Sequence, residues 1–146
     1  MKNLRLSFRL FFVGYIIATI VGFVTYYTRV ELMWISIFTL MPLIFGYLFY
    51  TYLKKTDCKI SETLKETNRL ITLWIILSFL LDAIVYIIIV PVIFKRISNW
   101  TFFIDQSPWI WLNYMTIVIL GHLSRIIYHN HLRNQIWSMD FDKHRN

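Results

Sequence analysis

Residues 70–94 read LITLWIILSFLLDAIVYIIIVPVIF, and Asp82 is the only charged residue in this run. An α-helix needs about 20 apolar residues to cross the hydrocarbon core of a bilayer. The run is long enough, and its apolar residues would cover all sides of a helix rather than one stripe. It therefore predicts a transmembrane helix that carries a single acidic group near its centre.

Three further runs of the same character occupy much of the remaining chain. They cover residues 10–28, 32–53 and 109–128. Together with residues 70–94 they predict an all-α fold: an integral membrane bundle of four antiparallel transmembrane helices, forming one domain over residues 1–146. The alternative is a soluble helical bundle, but its helices would show polar stripes at a 3.6-residue period.

The composition agrees with a membrane location. Hydrophobic residues make up 58% of the chain and aromatic residues 18%, whereas soluble domains are about 45–50% apolar. The mean hydropathy is +0.56. A water-soluble fold of this length would leave too much of that apolar surface exposed, so the first partner predicted is the lipid bilayer.

The basic residues predict how the helices are oriented. Twelve Lys and Arg residues fall in the N-terminal segment, the 54–69 loop and the segment after residue 124, and three (Arg29, Lys95 and Arg96) fall on the opposite side. The positive-inside rule then places both termini and the 54–69 loop in the cytoplasm. The placement of basic residues on the cytoplasmic side thus accounts for the net charge of +7. The charge is therefore no sign of nucleic-acid binding, and no nucleic-acid partner is predicted. Residue types with A+T-rich codons are abundant, which favours a low-G+C bacterium and hence its cell membrane; a viral or protist source is the alternative.

Aromatic residues near the ends of the runs are typical of the belts that anchor membrane proteins at the two interfaces. The outer belt is predicted to contain Tyr26, Tyr27, Trp34, Trp100, Trp109 and Trp111, and the inner belt Tyr50, Tyr52, Trp74, Tyr128 and Trp137.

Local patterns refine the helix ends. Thr63-Leu-Lys-Glu66 fits a capping box, which predicts that the third helix begins near Leu64. The fourth helix has no breaker after Tyr128, so residues 129–146 are expected to continue as an amphipathic cytoplasmic tail. A weak repeat aligns residues 9–26 with 69–86, and 46–48 with 121–123. A duplicated hairpin or chance would explain it.

Asp82 is the sharpest functional candidate. It lies ~18 Å along the third helix from Leu70, near the middle of the membrane. Ser78 and Tyr86 lie four residues to either side, which predicts one polar face on this helix. The functional interpretation is a proton or substrate site, or a carboxylate that binds a partner. The structural interpretation is a protonated acid that joins helices by hydrogen bonds.

His122 and Arg125 form a second pair of candidates, one helical turn apart near the inner surface. Arg125 can extend to lipid phosphates. His122 could relay a proton with Asp82, although a difference in depth of ~9 Å requires a bridging water. His129 and His131 point away from each other on a helix and cannot share a metal ion.

No recognisable catalytic motif occurs in the chain. The sequence lacks a P-loop, G-x-S-x-G, H-E-x-x-H and paired carboxylates. We therefore expect no enzyme activity, no metal and no cofactor. The single cysteine, Cys58, is expected to be an inert thiol.

The segment Arg9–Gly14, RLFFVG, together with the four-span layout and cytoplasmic termini, resembles the GtrA-type membrane proteins. That family is linked to movement of lipid-linked sugars across membranes, so the resemblance implies a translocator. It covers one short apolar motif and a topology shared by many proteins. The Asn-x-x-aromatic ending that the family places on its second and fourth spans is missing here.

Three functional hypotheses follow. The first is a non-catalytic accessory or regulatory subunit of a larger membrane complex, such as a sensor kinase, a transporter or an envelope-synthesis assembly. The second is a small oligomeric transporter or a translocator of lipids or lipid-linked sugars that uses Asp82. The third is an immunity-type membrane protein. The first two predict another membrane protein or self-association as a partner.

Overall fold

The computed structural model of the protein describes the backbone of residues 1–93, 95, 97–98 and 100–143, and their side chains except at 26, 27, 30 and 136–143. Over this part of the chain the fold contains helices and no strand. The helices are α1 (Leu4–Thr28), α2 (Val30–Lys55), a 3₁₀ turn (Ile60–Glu62), α3 (Thr63–Asp82), a π-helical segment (Ala83–Ile89), α4 (Val90–Ile93), α5 (Phe102–Asp105) and α6 (Trp109–Lys143).

Four helices are long and apolar enough to cross a membrane, which confirms the predicted fold class. They span Leu4–Thr25, Glu31–Lys55, Ile60–Ile93 and Trp109–Gln135. The third, Ile60–Ile93, comprises the 3₁₀ turn, α3, the π-helical segment and α4, and is called the third span below. Apolar side chains point outward along the spans: Leu43 is 72% and Val24 63% exposed. Lipid is the solvent that tolerates such a surface.

Most helices extend beyond the ends of the apolar runs from which they were predicted. Helix α1 begins six residues before the apolar run, and Arg29 alone, in extended conformation, separates it from α2. Helix α3 begins at Thr63, close to the predicted start, and α6 continues past Tyr128 to Lys143. Phe94, the predicted end of the third helix, lies outside the described part of the chain, as do the side chains of the predicted amphipathic tail from residue 136 onward.

Consecutive spans pack in opposite directions. Near its start α1 meets the end of α2, where the Asn3 N–H donates to the Tyr52 hydroxyl at 3.4 Å, and Gly14 lies beside Leu48. The third span and α6 pair in the same way, with Ile71 beside Gly121 and Asp82 bonded to Tyr114. The non-consecutive helices α2 and α6 instead run parallel, since Trp34 meets Trp109 near their starts and Tyr50 meets Tyr128 further along.

The parallel contact between α2 and α6 is reciprocal. Gly46 lies beside Ser124, whose hydroxyl donates to the Gly46 carbonyl at 2.9 Å, and Phe49 lies beside Gly121. Ser124 is 75 residues after Phe49, and Gly121 is 75 residues after Gly46. This is the offset at which residues 46–48 align with 121–123.

The tightest packing lies toward one end of the bundle. We call this end, where residues 1–9 and 54–69 meet, the basic end, and the other, with Arg29 and residues 95–108, the loop end. Trp74 is fully buried, with the ring centres of Phe49 and Phe11 at 4.2 Å and 5.8 Å. Its indole N–H donates to Ser7 at 3.0 Å.

This packing corrects three members of the predicted inner aromatic belt. Tyr52 and Trp74 are 0% and Tyr128 is 2% exposed, and they belong to the protein core rather than to the membrane interface. A belt residue needs one end in water, whereas all three side chains find their polar partners inside the protein. Tyr26, Tyr27 and Trp137 have side chains outside the described part.

At the basic end, a buried carboxylate on α3 is hydrogen-bonded to the N-terminal segment and to α2. Glu66 is 5% exposed, and its Oε1 accepts hydrogen bonds from the Lys2 N–H at 2.5 Å and the Tyr52 hydroxyl at 2.6 Å. The predicted capping box is therefore wrong: Glu66 is engaged across the bundle, and the Thr63 hydroxyl donates to the Ile60 carbonyl instead. A long-range partner outcompetes the local one because burial makes an unpaired carboxylate costly.

Gly121 provides a test of the helix packing. A Cβ added there would lie 2.5 Å from Ile71 Cγ1, whereas one added at Gly22 would meet nothing within 4 Å. We expect Gly121→Ala to destabilise the folded protein by about 1–3 kcal/mol through overpacking, and Gly22→Ala to have little effect.

The measurement is SDS-induced unfolding in mixed micelles, with Gly22→Ala as the matched control. Equal midpoints for the two variants would contradict the close approach of α6 to the third span.

Candidate ligand cavity

A cavity of about 720 Å³ occupies the loop half of the bundle. All four spans contribute to its wall, and the loop before α6 contributes Ile97, Phe102 and Gln106. The packed core around Trp74 lies on its other side, toward the basic end. The cavity thus extends from the middle of the bundle to the loop end and is backed by dense packing.

One face of α1 forms a continuous side of the cavity. Its lining residues are Tyr15, Ala18, Thr19, Gly22 and Phe23, a spacing of i, i+3, i+4, i+7 and i+8 that defines one helical stripe. Nothing lies within 4 Å of a Cβ added at Gly22. The half of α1 toward the loop end therefore borders open space, whereas α1 at Gly14 is closely packed against α2.

Asp82 lies where the cavity meets the packed core. It is 9% exposed, and its two carboxylate oxygens accept hydrogen bonds from two different helices: Oδ1 from the Tyr15 hydroxyl at 2.9 Å, and Oδ2 from the Tyr114 hydroxyl at 2.8 Å. Asp82 thereby links α1, the third span and α6. It therefore joins helices and also lines the cavity.

The helix changes form immediately after Asp82. Residues Ala83–Ile89 are π-helical. This geometry is rare in proteins, and where it does occur it is often at a functional site. Ser78, Asp82 and Tyr86 all line the cavity, so the structure brings together the polar face predicted for this helix. The Tyr86 ring stacks on Phe102 with ring centres 4.8 Å apart, which holds the 95–108 loop against the third span.

Other polar residues of the cavity were not singled out from the sequence. They include Tyr15 and Tyr114, which hold Asp82, together with Thr19, Gln106, Asn113 and Thr116. Tyr15 carried a usable signal, because a tyrosine in the middle of an apolar run is too deep for an interfacial belt. Asn113 carried another, as an amide inside the fourth run.

The cavity wall carries one charged group. Among the described residues that line it, Asp82 is acidic and no Lys, Arg or His is present. The rest of the wall is mainly apolar and aromatic. Two tryptophans, Trp34 and Trp109, pack on each other at the loop end with ring centres 5.3 Å apart.

The other predicted site residues lie elsewhere. Neither His122 nor Arg125 lines the cavity, so the structure does not bring them to Asp82. The Arg125 Nε is buried and has no hydrogen-bond partner among the described residues. His131 is exposed. Within the described part of the chain, no three His, Cys, Asp or Glu residues cluster closely enough to hold a metal ion.

The 95–108 loop is partly folded back on the bundle. Phe103 stacks on Phe79 with ring centres 4.7 Å apart, beside the contact between Phe102 and Tyr86. By contrast, Ile97 is 94%, Trp100 78% and Ile104 75% exposed. The loop therefore covers part of the cavity end while presenting apolar side chains outward.

The chain matches no protein-family model, and neither a curated protein nor a solved structure shows significant similarity to it. The resemblance to the GtrA-type family thus gains no support from these comparisons, and the functional argument depends on the cavity itself.

The hydrogen bond from Tyr114 to Asp82 can be tested by a double-mutant cycle. We expect Tyr114→Phe to lower the free energy of unfolding by about 0.6 kcal/mol and by no more than about 1.7 kcal/mol, the average and the maximum for side-chain hydrogen bonds between membrane helices. In an Asp82→Leu background the same change should cost nothing, because the acceptor is already gone.

Unfolding in mixed micelles measures both steps, and Tyr47→Phe, at a residue 69% exposed, is the control. An equal cost of Tyr114→Phe in both backgrounds would show that the bond adds no stability.

Proposed function

We propose that the protein is a small membrane transporter that binds an amphipathic molecule between its helices and uses Asp82 as the anchoring group. The observation that carries the proposal is the cavity of about 720 Å³ with Asp82 at its inner limit. Its volume is in the range of sites that hold drug-sized ligands. An ionisable residue at membrane depth is costly and usually marks a substrate or ion pathway.

The asymmetry of the bundle supports transport rather than simple binding. The loop half holds the cavity, and the basic half is filled by Trp74 and the aromatic rings around it. Alternating access requires a central site that opens to one side while the other side is closed. Asp82 occupies the junction of the two halves, where a bound ligand would meet the closed side. The proposal assigns no catalytic step to the site.

A second candidate is the accessory or regulatory subunit expected from the chain's small size. The specific observation in its favour is the outward exposure of Ile97, Trp100 and Ile104 on the outer loop. Exposed apolar groups outside the spans can bind another membrane protein. An accessory subunit would be inactive alone and would co-purify with a stoichiometric partner in mild detergent.

Flux in proteoliposomes separates the two candidates. The probes are a cationic dye, rhodamine 6G, and an anionic dye, carboxyfluorescein. We expect the purified wild-type protein to move at least one dye faster than protein-free vesicles do. Gly22→Trp should slow this at least tenfold, because the new ring fills the open space beside α1, and Asp82→Asn should slow it similarly.

The matched control is Ile20→Trp, which adds a tryptophan to the lipid-facing side of the same helix at a residue 57% exposed. Flux of both dyes at the rate of empty vesicles, or flux that Gly22→Trp leaves unchanged, would reject the transporter.

The location that we propose is a bacterial cell membrane, with both termini in the cytoplasm. Contacts gather two of the three basic segments at one end, where Lys2 Nζ lies 3.0 Å from a Glu62 carboxylate oxygen. The segment after residue 124 reaches the same end, since the Tyr128 hydroxyl donates to the Cys58 carbonyl at 3.2 Å. The positive-inside rule places this end in the cytoplasm.

Cysteine labelling tests the orientation. Ser61→Cys places an exposed thiol at the basic end, and Trp100→Cys places one at the loop end. We expect a membrane-impermeant maleimide to label Trp100→Cys in intact cells and Ser61→Cys only after permeabilisation.

Wild-type protein, whose only cysteine is Cys58, measures the background labelling. Cys58 is 1% exposed, and burial raises the pKa of its thiol, so little reactive thiolate forms at neutral pH. The opposite labelling pattern would reverse the topology.

A further inference from the structure

We propose that the cavity selects a lipophilic organic cation, held between Asp82 and the aromatic wall. This inference rests on the proposed function, because it assigns the ligand class of the same site. It arises from three properties of the cavity: its charge, the chemistry of its walls, and the lone pairs that Asp82 has left.

The charge of the cavity favours a positive ligand. Among the described lining residues Asp82 is the only one that carries a full charge when ionised. Charges interact strongly where water is scarce, so a cation near Asp82 is attracted and an anion repelled. No Lys, Arg or His lines the described wall to neutralise a phosphate or carboxylate group. A phosphate-bearing lipid, including a lipid-linked sugar, is therefore a poor match.

The wall suits a large, weakly hydrated cation. Tyr15, Trp34, Tyr86, Phe102 and Trp109 all line the cavity. Aromatic faces attract organic cations through the ring quadrupole, most strongly when water is excluded. Four of these rings are held in two pairs, Tyr86 stacked on Phe102 and Trp34 packed on Trp109, so little side-chain freedom is lost when a ligand binds.

Asp82 keeps the capacity to bind a cation while it remains anchored. A carboxylate offers about four lone-pair sites, and the hydroxyls of Tyr15 and Tyr114 use two of them. A metal cation would need several oxygen ligands in a close shell, and in the described residues no second carboxylate joins Asp82 in the cavity wall and no three His, Cys, Asp or Glu side chains cluster. An organic cation needs only one carboxylate together with the apolar and aromatic surface around it.

A matched pair of ions tests this inference. Tetraphenylphosphonium and tetraphenylborate have nearly the same shape and opposite charge. Binding of each to protein purified in a non-ionic detergent is measured by equilibrium dialysis, with protein-free micelles subtracted. We expect tetraphenylphosphonium to bind at least tenfold more tightly than tetraphenylborate. Gly22→Trp should abolish binding, and Ile20→Trp should not.

Two isosteric acid-to-amide changes locate the charge responsible. Asp82→Asn should remove the tenfold preference for the cation. Glu31→Gln removes an equal charge at the exposed start of α2, outside the cavity wall, and should leave the preference intact. Wild-type protein alone already decides the sign of selectivity, so the test does not depend on the folding of the Asp82→Asn variant.

The outcomes distinguish this inference from the function on which it rests. Equal or tighter binding of tetraphenylborate, abolished by Gly22→Trp, would overturn cation selectivity and leave the cavity as a binding site. Binding that Gly22→Trp does not affect would also overturn the inference, since the ion would lie elsewhere. Binding of neither ion overturns it too, and failure of the dye flux would then reject the proposed transporter.

Discussion

A carboxyl group halfway along a lipid-facing helix must find polar partners inside the protein, and this constraint organises the bundle. Exposing Asp82 to lipid would cost about 2.5–3.5 kcal/mol on insertion scales. Tyr15 and Tyr114 meet the requirement from two other helices. Satisfying one acid therefore sets how α1, the third span and α6 face one another at this depth.

The two halves of the bundle use the same kind of residue for opposite purposes. Gly14 and Gly121 allow close approach, since a Cβ at either would crowd a neighbouring side chain. Small residues serve this purpose at many membrane helix contacts. Gly22, further along α1, borders empty space and widens the cavity instead. The position of each glycine relative to Asp82 thus decides whether the helices close or separate.

Most of the fold could be predicted from local properties of the chain. Run length and charge-free character identify the four spans, because the bilayer imposes them segment by segment. The face containing Ser78, Asp82 and Tyr86 also followed from helical periodicity. The single-domain organisation remains a prediction.

The pairings could not be predicted in the same way. That Tyr15 and Tyr114 meet Asp82, or that Glu66 binds the N-terminal segment rather than capping its own helix, depends on which helices are neighbours. Apolar runs encode this choice only through side-chain shape. Trp74 was misassigned for a related reason: a tryptophan near a helix end suits an interface or a core equally well by position.

The π-helical segment after Asp82 has a mechanical consequence. Such a segment contains more residues in each turn than the α-helix on either side of it. If it relaxed to the α form, the surplus residue would have to pass along the axis, and everything beyond Asp82 would rotate while α3 stayed still. Tyr86, and with it the loop residue Phe102, would then change position around the cavity. The packed core at the basic end would stay folded.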